Sequence, residues 1–526
     1  MYERGNSMSG PIIRSPGTVE RGSTVAPFSA QAPQTDGLVS HVRTNQMKHV
    51  VVVGGGLSGL TAALRLAERG FLVTLLERES RVGGQATHFT TNGLITEHGT
   101  HAWFGPDRFY TDVTKLCEEL GTRQYLDLVK EWTIAHGDGQ LANLGHSRWL
   151  SWLPESFDVA PSIMRIPWLD FTDKLRALWA TYRLRQMSYA DLLRNDTKTG
   201  FEIGREKGYS PPGLDTFNSA THGLSNQTVR TLGAPVFAAM HDVLFSRDGL
   251  HYLQANRGLH DIFGGPLHRK LESLGVQIIT NAKVTNIEQS SNANGPSARV
   301  HFETPSGRST LEAPYCIVAA QPWDAKKFLP QVTAPWVSLE PVKPIYTMVM
   351  VLSGPINRIT DGRQIGFSRL EFPFSVVRVL SHSWPEYQGP EFTNKSVVHV
   401  EIGRTQALPP GMSDEELVAM VKRGLEIVYP EIRPYRVERF GVHREEKQLY
   451  GSWTPGAFSK KPRDASERII SASIYCGVDS LNVETIGMNA AVHAGTRSAN
   501  WVLSRHGLPL IEFTDIPVPG VPHQLV

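Results

Sequence analysis

The sequence predicts an α/β fold, with one domain built on a parallel sheet and a second of antiparallel sheet plus helices. Three observations predict it. The 526 residues exceed what one hydrophobic core organises, so two connected domains are expected. From His49, the run HVVVVGG reads as a buried strand, Leu60, Ala63, Leu64 and Ala67 share one helical face, and Phe71 to Glu77 is a second strand. This strand, turn, helix and strand make a βαβ unit whose parallel strands would seed a doubly wound sheet. Between about 336 and 445 the pattern changes to the strand candidates IYTMVMVL, FSVVRVL, VVHVEI and VERFGVH, which fit an antiparallel sheet.

The other elements follow in order. Residues 1–47 are rich in Ser, Pro, Gly and Thr, lack apolar periodicity and read as a disordered extension. Their acidic residues fit a transit peptide poorly, and a secretory signal would need an apolar run. A helix is marked by Val113, Leu116, Cys117 and Leu120 and stopped by Gly121. Leu267, Leu271 and Leu274 form a second stripe ending at Gly275, followed by strand-like runs at 276–280, 284–288, 298–303 and 315–322. Within the antiparallel block, Ser413 and Glu416 form a capping box that opens a helix.

The parallel-sheet domain is therefore expected in three pieces, 48–130, 256–335 and 451–505. A helical region at 131–255, which faces the substrate or a membrane, and the sheet at 336–450 complete the second domain, and 506–526 form a tail.

Composition narrows the function. With 53 basic and 51 acidic residues the net charge is +2, too small a field for gripping a nucleic acid. Cys117, Cys316 and Cys476 show neither a CxxC pair nor metal-ligand spacing, so neither a disulfide framework nor a metal site is expected. No run approaches the roughly 20 apolar residues that cross a bilayer, so the expected location is cytoplasmic, with peripheral membrane contact open.

Gly54, Gly56 and Gly59 form GxGxxG between the first strand and its helix, with Leu57 and Ser58 inside the turn. The first glycine permits the turn, the second admits a pyrophosphate, and the third lets helix pack on strand. Glu77 ends the second strand 18 residues after Gly59, where a carboxylate can accept both hydroxyls of an adenosine ribose. FAD and NAD share this fingerprint.

The run ERESRVGGQ, with Arg81, Gly83 and Gly84, separates them. It resembles the segment after the second strand in glutathione-reductase-like flavoproteins, especially the flavin amine oxidase and carotenoid desaturase superfamily. That resemblance implies FAD as cofactor and a glutathione-reductase-like FAD-binding domain. IYCGVDS (474–480) and GMNAAVHAGTRSANWVL (487–503) resemble the closing segment of the same family. By the resemblance, Asp479 would meet the ribityl or pyrophosphate region, Met488, Asn489, Ala490 and Ala491 would bring helix amides to the flavin pyrimidine, and Val284 would meet the adenine. Only one GxGxxG is present, which argues against a second nucleotide domain.

Residues 95–121, 153–184 and 257–288 look most like plant-type phytoene and zeta-carotene desaturases. This implies a desaturase or dehydrogenase that passes hydride from an isoprenoid or carotenoid-like substrate to flavin, then electrons to an acceptor such as quinone or oxygen. His98 and His101 would lie near the flavin and orient substrate or move a proton, and Arg257 is the candidate for an arginine near it. Leu175, Leu178, Trp179 and Tyr182 on one helical face, among Lys174, Arg176, Arg183 and Arg185, suggest docking at a lipid surface, while a helix packed on its own core gives the same pattern. SWTPG (452–456) keeps an amine or amino-acid oxidase open as the alternative, and a non-catalytic, escort-like lipid binder is the third reading.

Overall fold

The computed structural model describes residues 48–512 apart from 100, 148–151, 153–156, 226, 248, 293–294, 331–344, 360, 368–372, 446–453, 461–468 and 472–486. The expected extension 1–47, the run 474–480 with Asp479, and Trp453 lie outside the described residues.

The first sheet has five parallel strands in the order Gln277–Ile279, Leu72–Leu76, His49–Val53, Tyr315–Val318 and Ile469–Ser471. Its central strand reads HVVVV because a parallel strand is covered on both faces. Val50 and Val52 pack in one core with Leu60, Ala63 and Leu64 of the helix Leu57–Ala67 and Val492, Ala499 and Val502 of the helix Met488–Arg505. Val51 and Val53 pack in another core with Ile287, Val300 and Phe302. Those three residues belong to an antiparallel meander, Lys283–Asn292, Gly295–Thr304 and Gly307–Ala313. The sheet is thus helix-covered on one face and largely sheet-covered on the other, which corrects the doubly wound expectation. The first two strands of the meander alternate their side chains, and one buried row suffices to cover the parallel sheet.

The second sheet has seven strands in the order Val437–Glu445, Ile345–Leu352, Ser396–Ile402, Val376–Val379, Ile365–Phe367, Trp132–Ala135 and Leu141–Leu144. All neighbours run antiparallel except Ile365–Phe367 beside Trp132–Ala135. The last two strands come from the region expected to be helical, since four-residue strands carry too little periodicity to read.

Alternation gives this sheet two unlike faces. Met348, Met350, Val398, Val400 and Ile402 share a core with Leu417, Val421 and Leu425 of the helix Asp414–Val428. That helix opens at the expected capping box, with Glu416 N donating to Ser413 Oγ at 3.2 Å and Ser413 N donating to Glu416 Oε2 at 2.9 Å. The opposite face carries Thr347 flanked in register by Glu401 and His443, with Ile345 opposite Glu445 in the next row. The hairpin His88–Thr91 and Leu94–Glu97 packs on this second face, Leu94 joining Val349 and Val351 in a small core. Thr347 Oγ1 also donates to the Glu97 carbonyl, which seats the following His98 and Gly99 over the sheet.

The intervening chain forms the helices Phe171–Arg185, Gly200–Lys207, Pro211–Ser225 and Ala234–Phe245, which extend the first core. In Phe171–Arg185 the expected apolar face divides. Leu178 and Leu184 are buried with Ala177 and Ala180, whereas Leu175 and Trp179 point outward with Phe171, at 47, 55 and 68% exposure. No helix among the described residues is long and apolar enough to cross a membrane.

Candidate active site

The glycine turn is shaped by backbone packing. Gly54 sits at φ 103, and a Cβ there would meet the Ala319 carbonyl oxygen at 2.5 Å. Only glycine combines that dihedral with that approach. A Cβ on Gly59 would lie 2.0 Å from the Gly54 oxygen, so the third glycine is what lets the helix start against the turn. At Gly56 a Cβ would meet nothing within 4 Å, because the position opens onto a cavity. Leu57 and Ser58 also line that cavity, and Ser58 Oγ is buried without a hydrogen-bond partner. A free hydroxyl at a helix N-terminus whose first amides face the same space suits a pyrophosphate oxygen.

Glu77 holds this loop in place. Its Oε2 accepts from Gly55 N at 2.6 Å and its Oε1 from Glu79 N at 2.8 Å. Burial raises its pKa above the ordinary carboxylate value, and the two backbone amides pull the other way. Both oxygens keep lone pairs for ribose hydroxyls on the cavity side.

Gly83 and Gly84 lie against the same loop. Gly83 N donates to Gly55 O at 2.8 Å, and a Cβ on Gly84 would meet Gly56 Cα at 2.8 Å. Gly84 and Arg81 line the cavity, and Arg81 donates to the His88 carbonyl and lies over the Phe89 ring. Val284 lines the cavity beside Ala282, Lys283 and Thr285, next to Glu77. At the far end it is walled by Gly487, Met488 and Ala491. Asn489 and Ala490 are fully buried away from it, and Asn489 Oδ1 accepts from Val113 N at 3.0 Å, near the start of the helix Thr111–Glu119. The C-terminal helix is pressed onto the glycine-turn helix, where a Cβ on Gly495 would meet Ser58 O at 2.3 Å.

One cavity of about 1280 Å³ therefore runs from Glu77 and Val284, past the glycine turn, to Met488 and Ala491. It continues between the hairpin and the seven-stranded sheet, where Phe89, Ala102, Trp103, Leu224 and Ile345 supply apolar wall. His98, His101, Glu401, His443 and Glu445 supply polar wall. Burial pushes His101 down to about 3 and His443 down to about 4, so both imidazoles are neutral at ordinary pH. Arg257 is not in this wall. It stacks on Tyr125, 4.3 Å from ring centroid to Cζ, and its Nε lies 3.7 Å from Glu386, which removes it from the catalytic candidates. Cys117 and Cys316 are buried thiols pushed up to about 12, unsuited to nucleophilic work.

Glu401, His443 and Glu445 are site residues that sequence reasoning missed. Glu401 interrupts a fully buried, largely apolar strand, and that was the available signal, whereas His443 and Glu445 lie on a strand with other charged residues and carried none.

A nucleotide slot formed by the first and last helices of a parallel-sheet domain, and opening onto the face of a second sheet, defines a flavin-dependent oxidoreductase. The chain belongs to the flavin containing amine oxidoreductase family, whose model matches residues 57–503. FAD is its cofactor. Its relatives include the carotenoid phi-ring synthase of Chlorobaculum tepidum, 25% identical over 49% of this chain and 40% of that protein. The 4,4'-diaponeurosporene oxygenase of Staphylococcus aureus is 25% identical over 46% of this chain and 50% of its own. The chain thus spans half or less of these relatives' length. Among solved structures, putrescine oxidase bound to putrescine superposes with a TM-score of 0.61 at 16% identity, covering 87% of this chain and 99% of its own. Cyclohexylamine oxidase from Brevibacterium oxydans superposes at 0.60 and 15% identity, with the same coverages. At such identities the likeness is one of fold.

Proposed function

We propose that the protein is a desaturase-like dehydrogenase acting on CH–CH bonds of an extended, largely apolar substrate of isoprenoid or carotenoid type. The observation that carries this reading is the continuity of the cavity from the nucleotide grip to a wall of Phe89, Ala102, Trp103, Leu224 and Ile345. An apolar chain entering there gains by leaving water, roughly 25 cal/mol per Å² buried. The carotenoid-modifying relatives support the same substrate class.

FAD, when bound, supplies the hydride acceptor. The chain has to hold the substrate beside it, keep water out and take up the proton lost from the neighbouring carbon. His98 and His101 line the cavity, and His101 Nε2 is buried without a hydrogen-bond partner, so these imidazoles are the proposed groups that orient substrate, with proton uptake assigned to His98 because His101, held at about 3, is a weak base. Quinone or oxygen is the proposed final acceptor. The exposed Phe171, Leu175 and Trp179, with the exposed Arg176 and Arg183 on the same helix, are the proposed lipid contact through which an insoluble substrate is collected.

The test is anaerobic incubation of the purified holoprotein with polyenes, steroids and amines while flavin absorbance is followed. Bleaching by polyenes, with a product two hydrogens lighter, is expected. Bleaching by amines alone would replace this reading with an amine oxidase.

A further inference from the structure

In the polar wall, one nitrogen of His98, one of His443 and a carboxylate oxygen of Glu445 all lie within 4.8 Å of one another. We propose that these three side chains form a binding site for a divalent transition-metal ion of the Zn²⁺ type, opening onto the substrate end of the cavity.

Three observations carry it. The first is distance. Metal–ligand bonds of about 2.1 Å put tetrahedral donors roughly 3.4 Å apart. His98 Nδ1 is already 3.3 Å from Glu445 Oε2, His443 Nε2 is 4.0 Å from the same oxygen, and all three donors lie within 4.8 Å of one another, so side-chain shifts on the order of 1 Å close the set. The second is unmet bonding capacity. His98 is 8% exposed, and both its Nδ1 and His443 Nε2 are buried without a hydrogen-bond partner although each faces that carboxylate. Leaving two buried ring nitrogens unsatisfied is costly, and one ion between them and the carboxylate would satisfy both.

The third is rigidity. Phe89 stacks on His443 with ring centroids 4.1 Å apart and meets His98 edge-on at 4.9 Å, while the two imidazoles stand at 88° to each other. An aromatic ring thus orients both histidines and gives the ion an apolar shell, the surroundings that sharpen metal sites. Two imidazoles and one carboxylate suit zinc or another late first-row ion over magnesium or calcium.

Three protein ligands leave a coordination position open, and all three donors belong to residues of the cavity wall. The ligand taken there is an oxygen atom, from water or from a hydroxyl, carbonyl or carboxylate of the molecule in the cavity. The site goes beyond dehydrogenation of an apolar chain and does not depend on it, since metal binding is read without turnover.

The experiment is equilibrium dialysis of the metal-stripped, flavin-loaded protein against Zn²⁺, with Mg²⁺ in parallel and metal measured per flavin. One Zn²⁺ and no Mg²⁺ per flavin is expected. H443A and E445Q should each weaken zinc binding by more than the roughly 10–100-fold that outer-shell changes cost. H443N supplies a variant closer in size, and unchanged flavin absorbance verifies the fold of each. Zinc bound with the same affinity by wild type, H443N and E445Q, or no zinc bound by wild type, overturns the proposal.

Discussion

Glu97 shows how much one side chain can store. It is buried beneath the hairpin, Oε1 accepts from Leu259 N at 2.8 Å, and loss of water raises its pKa to about 8. Arg378 is held below its usual value by burial in the same interior, and its guanidinium is spent on the Gly362 and Ala255 carbonyls and Ser383. An unfolded chain ionises Glu97 near 4.5, whereas the folded one keeps the proton up to about 8. Its stabilising contribution is therefore complete below pH 4.5 and lost as pH rises through 8. The slope is at most about 1.4 kcal/mol per pH unit. Replacing Glu97 with Gln removes that loss, so the melting temperature of E97Q relative to wild type should climb between these limits. A constant difference across the range would mean that Glu97 ionises normally. In the sequence Glu97 figures only within the segment 95–121 that resembles the desaturases, and its burial is set by tertiary packing.

At the scale of elements, the nucleotide grip is a contact between two helices far apart in sequence. Gly495 permits it, because a Cβ there would lie 2.3 Å from Ser58 O and 2.9 Å from Thr61 Cβ, both on the glycine-turn helix. Backbone cannot yield as a side-chain end can. Gly495→Ala should push the helices apart, destabilise by about 1–3 kcal/mol, the usual cost of overpacking, and lower FAD occupancy. Flavin per protein after gel filtration and the melting temperature read both effects, and wild-type values for both would refute the packing role. The glycines of the first turn were legible because their spacing repeats a backbone requirement. Gly495 was not, since a lone glycine in a helical pattern announces no partner.

For the molecule as a whole, the helix Phe171–Arg185 is the proposed point of contact with a lipid surface. Its inner side is core, and Arg185 turns inward to Asp242 at 3.2 Å and to the Phe245 carbonyl at 2.7 Å. Phe171, Leu175 and Trp179 stay outside at one-turn spacing. Exposed apolar rings beside arginines fit an anionic bilayer surface. Replacing Leu175 and Trp179 with Glu should cut flotation with anionic vesicles several-fold and leave flavin content intact. Equal flotation of the two proteins would remove the lipid contact.

The βαβ nucleotide turn, the capped helix at 414–428 and the antiparallel strands between 345 and 445 are written in the residues themselves, because each rests on local periodicity, spacing or capping. The sequence also carried the family resemblance. Tertiary structure alone decided that a meander covers one face of the parallel sheet, that Arg257 stands aside, and that His98 meets His443 and Glu445 from more than 300 positions away. The reason is physical. A strand records in its own residues that it has two faces, but which partner each face meets depends on strand order and register, and those are set by the packing of the whole chain.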